Sequence, residues 1–473
     1  MALAVVVGNV IGSGIFLKPG TIATEAGSFG FIITLWVAGG VLCILGALCF
    51  AELATMLPKA GGLYVYLREA YGRLPAFLFG WSEFLFNRPA SIAALAVAFI
   101  GSLSLAIGIH PSPLIQVVMA ATLIVGTAMI NIFGVLWGGR LQMLTTLIKG
   151  SFLALVGVLP FVLTLFGNGV DFSNYASTVT PREASVASQM GAVLLAVMWA
   201  YNGWHGITPL AEEVSEPQRN IPRSLFGGVG ILIVLYVTAN CAYHGVLSMD
   251  EMSRAGDHAA EHMLDKLFGP AGRAAMSAVI MCSVFGGINS NLLQAPRVIF
   301  EMGRDGVFFT QLGRVHNAYH TPAVAILVNA TMAIALIALV TACQQLVAEL
   351  DANTLQWEVA RVTVTNLQND SIFGLLTNFV IFSASVFYSL GVLAVIVLRR
   401  RHPEWERPYK TWGYPIVPLA FLIVYLWFLS AVYVSNPLES RVGLVLIGLG
   451  VPAFYAYRWW ARLDNENRSA SAK

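Results

Sequence analysis

Charge is what this sequence has least of. Asp, Glu, Lys and Arg make up 11% of 473 residues, against 57% hydrophobic residues. A soluble domain carries roughly 25% charge, so part of the solvent around this chain must be lipid. The formal net charge is +2, without the basic footprint of a nucleic-acid binder. Cysteine is scarce: Cys43, Cys49, Cys241, Cys282 and Cys343 all lie in or beside apolar runs. With no CxxC and no paired extracellular framework, they read as small buried hydrophobes. The first residues lack a basic stretch and a small-residue cleavage site, which disfavours a cleaved signal peptide. Walker, Ser-His-Asp and Gly-rich phosphate motifs are missing, so no enzyme activity, cofactor or metal is expected. One string, His258-Ala259-Ala260-Glu261-His262, has the HxxEH spacing of zinc peptidases. It sits in a short connection with no large domain around it, and reads as a solvated helix.

What is abundant is long apolar sequence. A bilayer core takes about 20 apolar residues per helix. Twelve runs meet this: 2–26, 30–57, 74–107, 113–137, 141–167, 189–211, 222–248, 270–300, 322–343, 371–398, 413–435 and 440–460, here segments one to twelve. The expected fold class is an all-α polytopic membrane protein of about twelve transmembrane helices. Basic residues concentrate in cytoplasmic loops. With the amino terminus inside, 17 of the 27 Lys and Arg, among them Lys59, Arg68, Arg140, Arg314, Arg399 and Lys473, fall on the inner side. Six, Arg182, Arg254, Lys266, Arg273, Arg361 and Arg441, fall outside. Both termini are therefore expected in the cytoplasm, with the chain in the cell inner (plasma) membrane. Two outer connections are long. Residues 249–269 are acidic and amphipathic, and residues 344–370 contain WEVARVTV, which reads as strand-like.

Segments one and six are interrupted. The first reads GNVIGSGIFLKPG from Gly8 to Gly20, broken at Gly12-Ser13-Gly14; the sixth reads VMWAYNGWHGITPLAEE from Val197 to Glu213, broken around Tyr201-Asn202-Gly203. Non-helical backbone at membrane depth must be hydrogen-bonded or line a cavity. Unwinding frees amides at the start of one half-helix and carbonyls at the end of the other. Amide ends bind carboxylates and carbonyl ends bind cations, so a zwitterion fits such a pair. Breaks at corresponding places in two halves point to a transporter site. Segments one and six are five apart, which implies inverted repeats: residues 1–167, an external loop 168–188, a second repeat 189–399, then segments eleven and twelve in 400–462 and a tail 463–473. Glycines that only let helices pack closely are the alternative.

At these residues the chain resembles the amino acid–polyamine–organocation superfamily, in its L-type amino acid transporter branch. The likeness rests on GSGIF at Gly12–Phe16, PKAGGLYVYLREAYG at Pro58–Gly72, GWSEFLFNRPAS at Gly80–Ser91, NGWHGITPLAEEVSEPQRNIPRSL at Asn202–Leu225, FGGINSNLLQAPRVIFEMGRDG at Phe285–Gly306 and RRHPEWERPYKTWGYPIVP at Arg400–Pro418. It implies a LeuT-type fold with segments one and six broken. It implies that amides of Ser13, Gly14 and Ile15 hold the substrate carboxylate. Carbonyls of Val10, Ile11, Trp199, Ala200 and Asn202 would hold its ammonium, with Gly12 and Tyr201 completing the two breaks. Trp199 would be an aromatic lid, or else a packing tryptophan. Many relatives carry phenylalanine at that place and glycine at that of Asn202. Both residues here are larger, which suggests a pocket for small side chains. The connection 108–113 has no cysteine, so no disulfide-linked heavy chain is implied. Only about 11 residues precede the break, which suggests a clipped amino terminus.

Charges inside segments need a reason, because lipid is costly for them. Lys149 lies in segment five, about eight residues from its cytoplasmic end. The resemblance implies that it stands where sodium-coupled members bind sodium, linking segment one to segment eight through Ser283; snorkelling is the alternative. Glu83 and Arg88 are five residues apart, about 140° around an α-helix, so pairing with other helices is expected. Glu52 reads as an interfacial charge. Glu212 and Glu213 end segment six and are expected to meet Arg219 or Arg223, as an inner gate or as caps. Asn378 matches a polar residue that relatives use near substrate, or else is interhelical glue. His205 is expected to pack against segment one, with a proton-carrying role as the alternative. The function these features favour is sodium-independent exchange of neutral L-amino acids by alternating access. Proton-coupled symport by the same fold is the alternative, and a non-transporting membrane sensor is the reading from another class.

Overall fold

The computed structural model of the protein describes residues 2–471 apart from 134, 183–184, 310–311, 313–315, 317–318 and 320. Arg314 and Lys473, counted above as inner charges, lie outside the described residues, as do parts of the expected loop 168–188. Among the described residues β pairing is limited to one isolated bridge, Ser28 with Thr178. Among the same residues eleven helices are long and apolar enough to cross a membrane. The protein is therefore an all-α, multi-pass membrane protein. Their outer faces carry large exposed apolar side chains, such as Leu114, Val118, Ile423 and Val445, which in water would be a liability. Large aromatics fill the interior instead: Trp36, Trp204, Tyr236 and Tyr425 are fully buried.

Segment six is the exception among the twelve apolar runs. It forms a 16-residue helix, Val186–Tyr201, short of a bilayer's width. The chain then continues through turns and the 3-10 helix Thr208–Glu213 before the long helix Pro217–Val246. Segment one divides into Ala2–Val10 and Gly14–Ala26. Both interruptions fall at the glycine-containing positions named from sequence. They also touch: a Cβ on Gly14 would stand 2.4 Å from Ala200 Cα. Glycine is needed there because one backbone approaches another.

Segment three holds a feature that the α-helical period conceals. Helices Arg73–Ser82 and Arg88–Ile107 are joined by a π-helical turn, Glu83–Asn87, in which the Arg88 amide donates to the Glu83 carbonyl. Pro89 has no N–H to give the carbonyl of Leu85, so an α-helical hydrogen bond is missing here in any case. A π turn pairs residues five apart.

Two expectations change. The WEVARVTV stretch is helical: Glu358–Asn369 starts after Trp357. A lone strand would have no neighbour for its amides and carbonyls, whereas a helix pairs them internally. Residues 249–269 are docked rather than solvated. Ser248 and Glu251 form a capping box on Met249–Ala255, and Met249, Met252, Ala259, Ala260, Met263 and Leu264 are buried. The helix of segment five begins at Val135, and its membrane-length apolar stretch begins at Gln142, seven residues before Lys149, close to the depth its sequence position suggested.

Candidate functional site

The breaks of segments one and six meet walls from segments three, eight and ten around a polar chamber. Its lining includes Asn9, Val10, Gly12, Ser13, Gly14, Glu83, Asn87, Arg88, Trp199, Asn202, His205, Asn291 and Tyr388, about a cavity of 60 Å³. At roughly 10–15 Å³ per water position, that is space for a few water-sized groups.

The free backbone ends are arranged as two poles. Ser13 caps the half-helix Gly14–Ala26: its carbonyl accepts from the amides of Phe16 (3.1 Å) and Leu17 (2.9 Å). The first amides of a helix have no carbonyl one turn behind them, and Gly14, the first residue of this one, lines the chamber. The opposite pole is carbonyl-rich. Tyr236 Oη lies 3.1 Å from the Val10 carbonyl and 3.0 Å from that of Ala200. Ser283 Oγ lies 3.3 Å from the Ile11 carbonyl and 3.0 Å from that of Gly12. Each hydroxyl has one proton for two acceptors, so all four carbonyls keep unused acceptor capacity. The Trp199 carbonyl accepts from the Asn202 amide at 3.1 Å.

Trp199 stands over the first break. Its indole N–H donates to Ser13 Oγ at 3.1 Å, and its ring meets Phe373 edge-on at 6.0 Å. Above Phe373 lies the buried Lys18 ammonium, 4.7 Å from the ring centroid, with Asp257 and Asp370 as the anions acting on it. Asp257 accepts from Thr21 at 3.3 Å and from Ser371 at 2.8 Å. Burial pushes the Asp370 carboxyl above its ordinary range, against the opposing pull of Arg182 3.6 Å away. A Cβ on Gly20 would stand 2.2 Å from the Gly256 carbonyl oxygen, so segment one docks backbone to backbone on the 249–269 connection.

Lys149 is fully buried and donates to the Gly8 carbonyl at 2.6 Å, which excludes snorkelling. It meets segment one directly, and Ser283 of segment eight bonds other carbonyls of that segment, those of Ile11 and Gly12. Lysine and serine hold separate carbonyls, and Gly286 of segment eight leaves room beside the ammonium, 3.6 Å from where its Cβ would be.

Other expectations are corrected. Arg88 Nε pairs with Glu83 Oε2 at 2.6 Å; the π turn brings together two groups that an α-helix would hold apart. Glu52 is buried, not interfacial. It takes Arg399 in a bidentate pair at 2.7 and 2.8 Å and the Thr411 amide at 2.6 Å. Glu213 meets Arg297 of segment eight at 3.1 Å rather than Arg219 or Arg223, while Arg219 lies 4.0 Å from Glu216. Glu212 lies close enough to Glu301 for its charge to act there. Asn378 faces away from the chamber toward Asn436, 3.4 Å off. The polar group segment ten presents is Tyr388, which donates to Asn202 Oδ1 at 2.9 Å. His205 packs against Tyr388 at 4.7 Å and Phe50 at 5.9 Å between ring centroids, not on segment one. Tyr201 lies behind the break, against Trp36 and Tyr236. In the HxxEH string Glu261 is buried and accepts from Ser102 at 3.2 Å. Among the described residues no group of metal-ligating side chains forms.

Sequence reasoning missed Asn9. Its Nδ2 donates to the Gly203 carbonyl at 2.8 Å, while its Oδ1 accepts from Ser290 at 2.8 Å and Gln294 at 3.0 Å. A polar residue immediately before a break in an apolar helix was the available signal.

Two broken helices facing each other across such a chamber are what a membrane carrier needs. A family model described as amino acid permease matches residues 1–451. The chain belongs to the amino acid permease family. The permease is 30% identical over 460 residues to the serine/threonine exchanger SteT of Bacillus subtilis (strain 168), covering 97% of this chain and 95% of that protein. It is 30% identical to the b(0,+)-type amino acid transporter 1 of Homo sapiens, over 96% of this chain and 85% of the relative. It is also 30% identical to the Asc-type amino acid transporter 1 of Mus musculus, over 97% and 80%. These relatives are transporters, not enzymes, and the resemblance seen in the motifs is borne out. The permease's function is amino acid transport.

Proposed function

We propose that this permease exchanges small neutral L-amino acids across the cell inner membrane, independently of sodium, by alternating access. The carrying observation is the set of backbone ends at the two breaks: the first amides of the half-helix Gly14–Ala26, whose Gly14 lines the chamber, and half-used carbonyls at Val10, Ile11, Gly12 and Ala200. These suit an α-carboxylate and an α-ammonium held a few ångströms apart. Ser13 would lend its amide to the carboxylate, and the Trp199 and Asn202 carbonyls would face the ammonium. The small cavity supports a short side chain. So does SteT, a serine/threonine exchanger by name.

Sodium independence rests on Lys149. An ammonium fixed on the Gly8 carbonyl supplies a positive charge between segments one and five without a coupling ion. The architecture fits twelve spans with both termini cytoplasmic, segment six crossing as a short helix extended by its turns. The 249–269 and 344–370 connections are then external, and Glu213–Arg297 closes the inner side. None of the five cysteines lies in 108–113, which favours a carrier without a disulfide-linked partner.

The test is uptake by proteoliposomes. Labelled serine should enter in sodium-free buffer and enter several-fold faster when the vesicles hold unlabelled serine. Uptake that needs a proton gradient and ignores internal serine would replace exchange with symport. Binding without uptake would make the protein a sensor.

A further inference from the structure

The two backbone poles account for the ends of a zwitterion and leave open what reads its side chain. Among the chamber's lining residues, Glu83 and Arg88 are the charged pair. Both are largely buried, and each is satisfied in a specific way. The carboxylate accepts from Arg88 Nε at 2.6 Å and from Asn87 Nδ2 at 3.2 Å; Arg88 Nη1 donates to Asn291 Oδ1 at 3.0 Å. A guanidinium has five N–H groups, so these contacts leave donors to spare.

We propose that the Glu83–Arg88 pair, held together by the π turn, is the side-chain charge filter of the chamber. The proposal rests on the amino acid reading above and names the property by which the site selects. Because the pair sums to zero, a carboxylate side chain meets an arginine whose charge is already matched and a second carboxylate beside it. A cationic side chain meets the mirror situation. Like charges in a site poor in water repel strongly, and rejection of this kind sets specificity as much as attraction does. A hydroxyl or amide oxygen pays no such penalty and can accept from a spare guanidinium N–H. The geometry is fixed twice over, since the Arg88 backbone amide also bonds the Glu83 carbonyl. In an unbroken α-helix the two side chains would diverge and the wall would present two separate charges.

Asparagine and aspartate test this, since they share a shape and differ in side-chain charge at pH 7. Each competes against labelled serine for uptake by proteoliposomes loaded with serine, and the ratio of half-inhibiting concentrations is read. The parent should favour asparagine at least tenfold. Glu83→Gln leaves a net positive chamber and should move the ratio at least tenfold toward aspartate. Arg88→Gln should move it the other way, and Glu83→Gln with Arg88→Gln should give a ratio between those of the two single variants. A ratio unchanged in the single variants, with uptake of both amino acids falling together, would make the pair a strut and overturn the proposal. A parent that takes both equally overturns it without any variant, so poor folding of one variant does not leave the question open. A parent that takes up no neutral amino acid, by contrast, removes the transport reading itself.

Discussion

At the scale of single residues, the chamber is built from groups that are shared rather than paired one to one. The Tyr236 hydroxyl serves Val10 and Ala200, and the Ser283 hydroxyl serves Ile11 and Gly12. An arriving ammonium therefore finds acceptors already oriented and not fully used. Trp199→Phe keeps a ring over the break but loses the donor to Ser13. A neutral hydrogen bond contributes about 0.5–1.5 kcal/mol, so the half-saturating serine concentration should rise about threefold to tenfold with little change in maximal rate. Lys149→Ala orphans the Gly8 carbonyl and removes the fixed charge at once. Initial-rate exchange should fall at least tenfold with or without sodium; normal rate and affinity would show that the ammonium is dispensable.

At the scale of elements, the second half of segment one, Gly14–Ala26, is held by the 249–269 connection. Gly20→Ala would drive a Cβ against the Gly256 carbonyl, 2.2 Å away, and the Met252 carbonyl, 2.7 Å away. Backbone cannot step aside cheaply, so the variant should show a lower melting temperature and slower exchange. The same connection has a titrating contact. The hydrogen bond with Glu261 raises the His258 imidazole above its ordinary 6.5. A raised value means that the charged form is favoured by folding. Its stabilising contribution is fully present below about pH 6.5 and is lost as the pH climbs through the raised value. Melting temperature should decline from pH 6 to pH 8, and the slope should flatten in His258→Gln. Much of this element level could be read from sequence. The two breaks were legible because glycine pairs interrupt otherwise unbroken apolar runs. The π turn was not, because Glu83 and Arg88 diverge under the α-helical period and nothing local but Pro89 signals a change of winding. WEVARVTV misled because valine alternation resembles a strand when no account is taken of whether another strand exists to receive it.

At the scale of the molecule, most recognition depends on contacts hundreds of residues apart, which spacing alone does not reveal. Glu52 is the clearest case: one carboxylate gathers Arg399, Arg407 and the Thr411 amide, tying segment two to the end of segment ten and the connection into segment eleven. Removing one partner of a buried pair costs about 3–5 kcal/mol. Glu52→Gln should therefore lower the melting temperature of purified protein more than Glu83→Gln does, while the asparagine-to-aspartate ratio of whatever remains folded stays at the parental value. The clamp lies away from the chamber, so its failure should be one of assembly rather than of selectivity.

Asn9 carries the furthest consequence. One side-chain amide spans both interruptions and also grips segment eight, and a Cβ on either Gly203 or Gly206 would come within 2.3 Å of its nitrogen. The two discontinuous helices are thus coupled at their breaks like two gears on one shaft. Neither can tilt alone without first letting go of that amide, and substitutions among Asn9, Gly203, Gly206, Ser290 and Gln294 should be tolerated in concert more readily than singly.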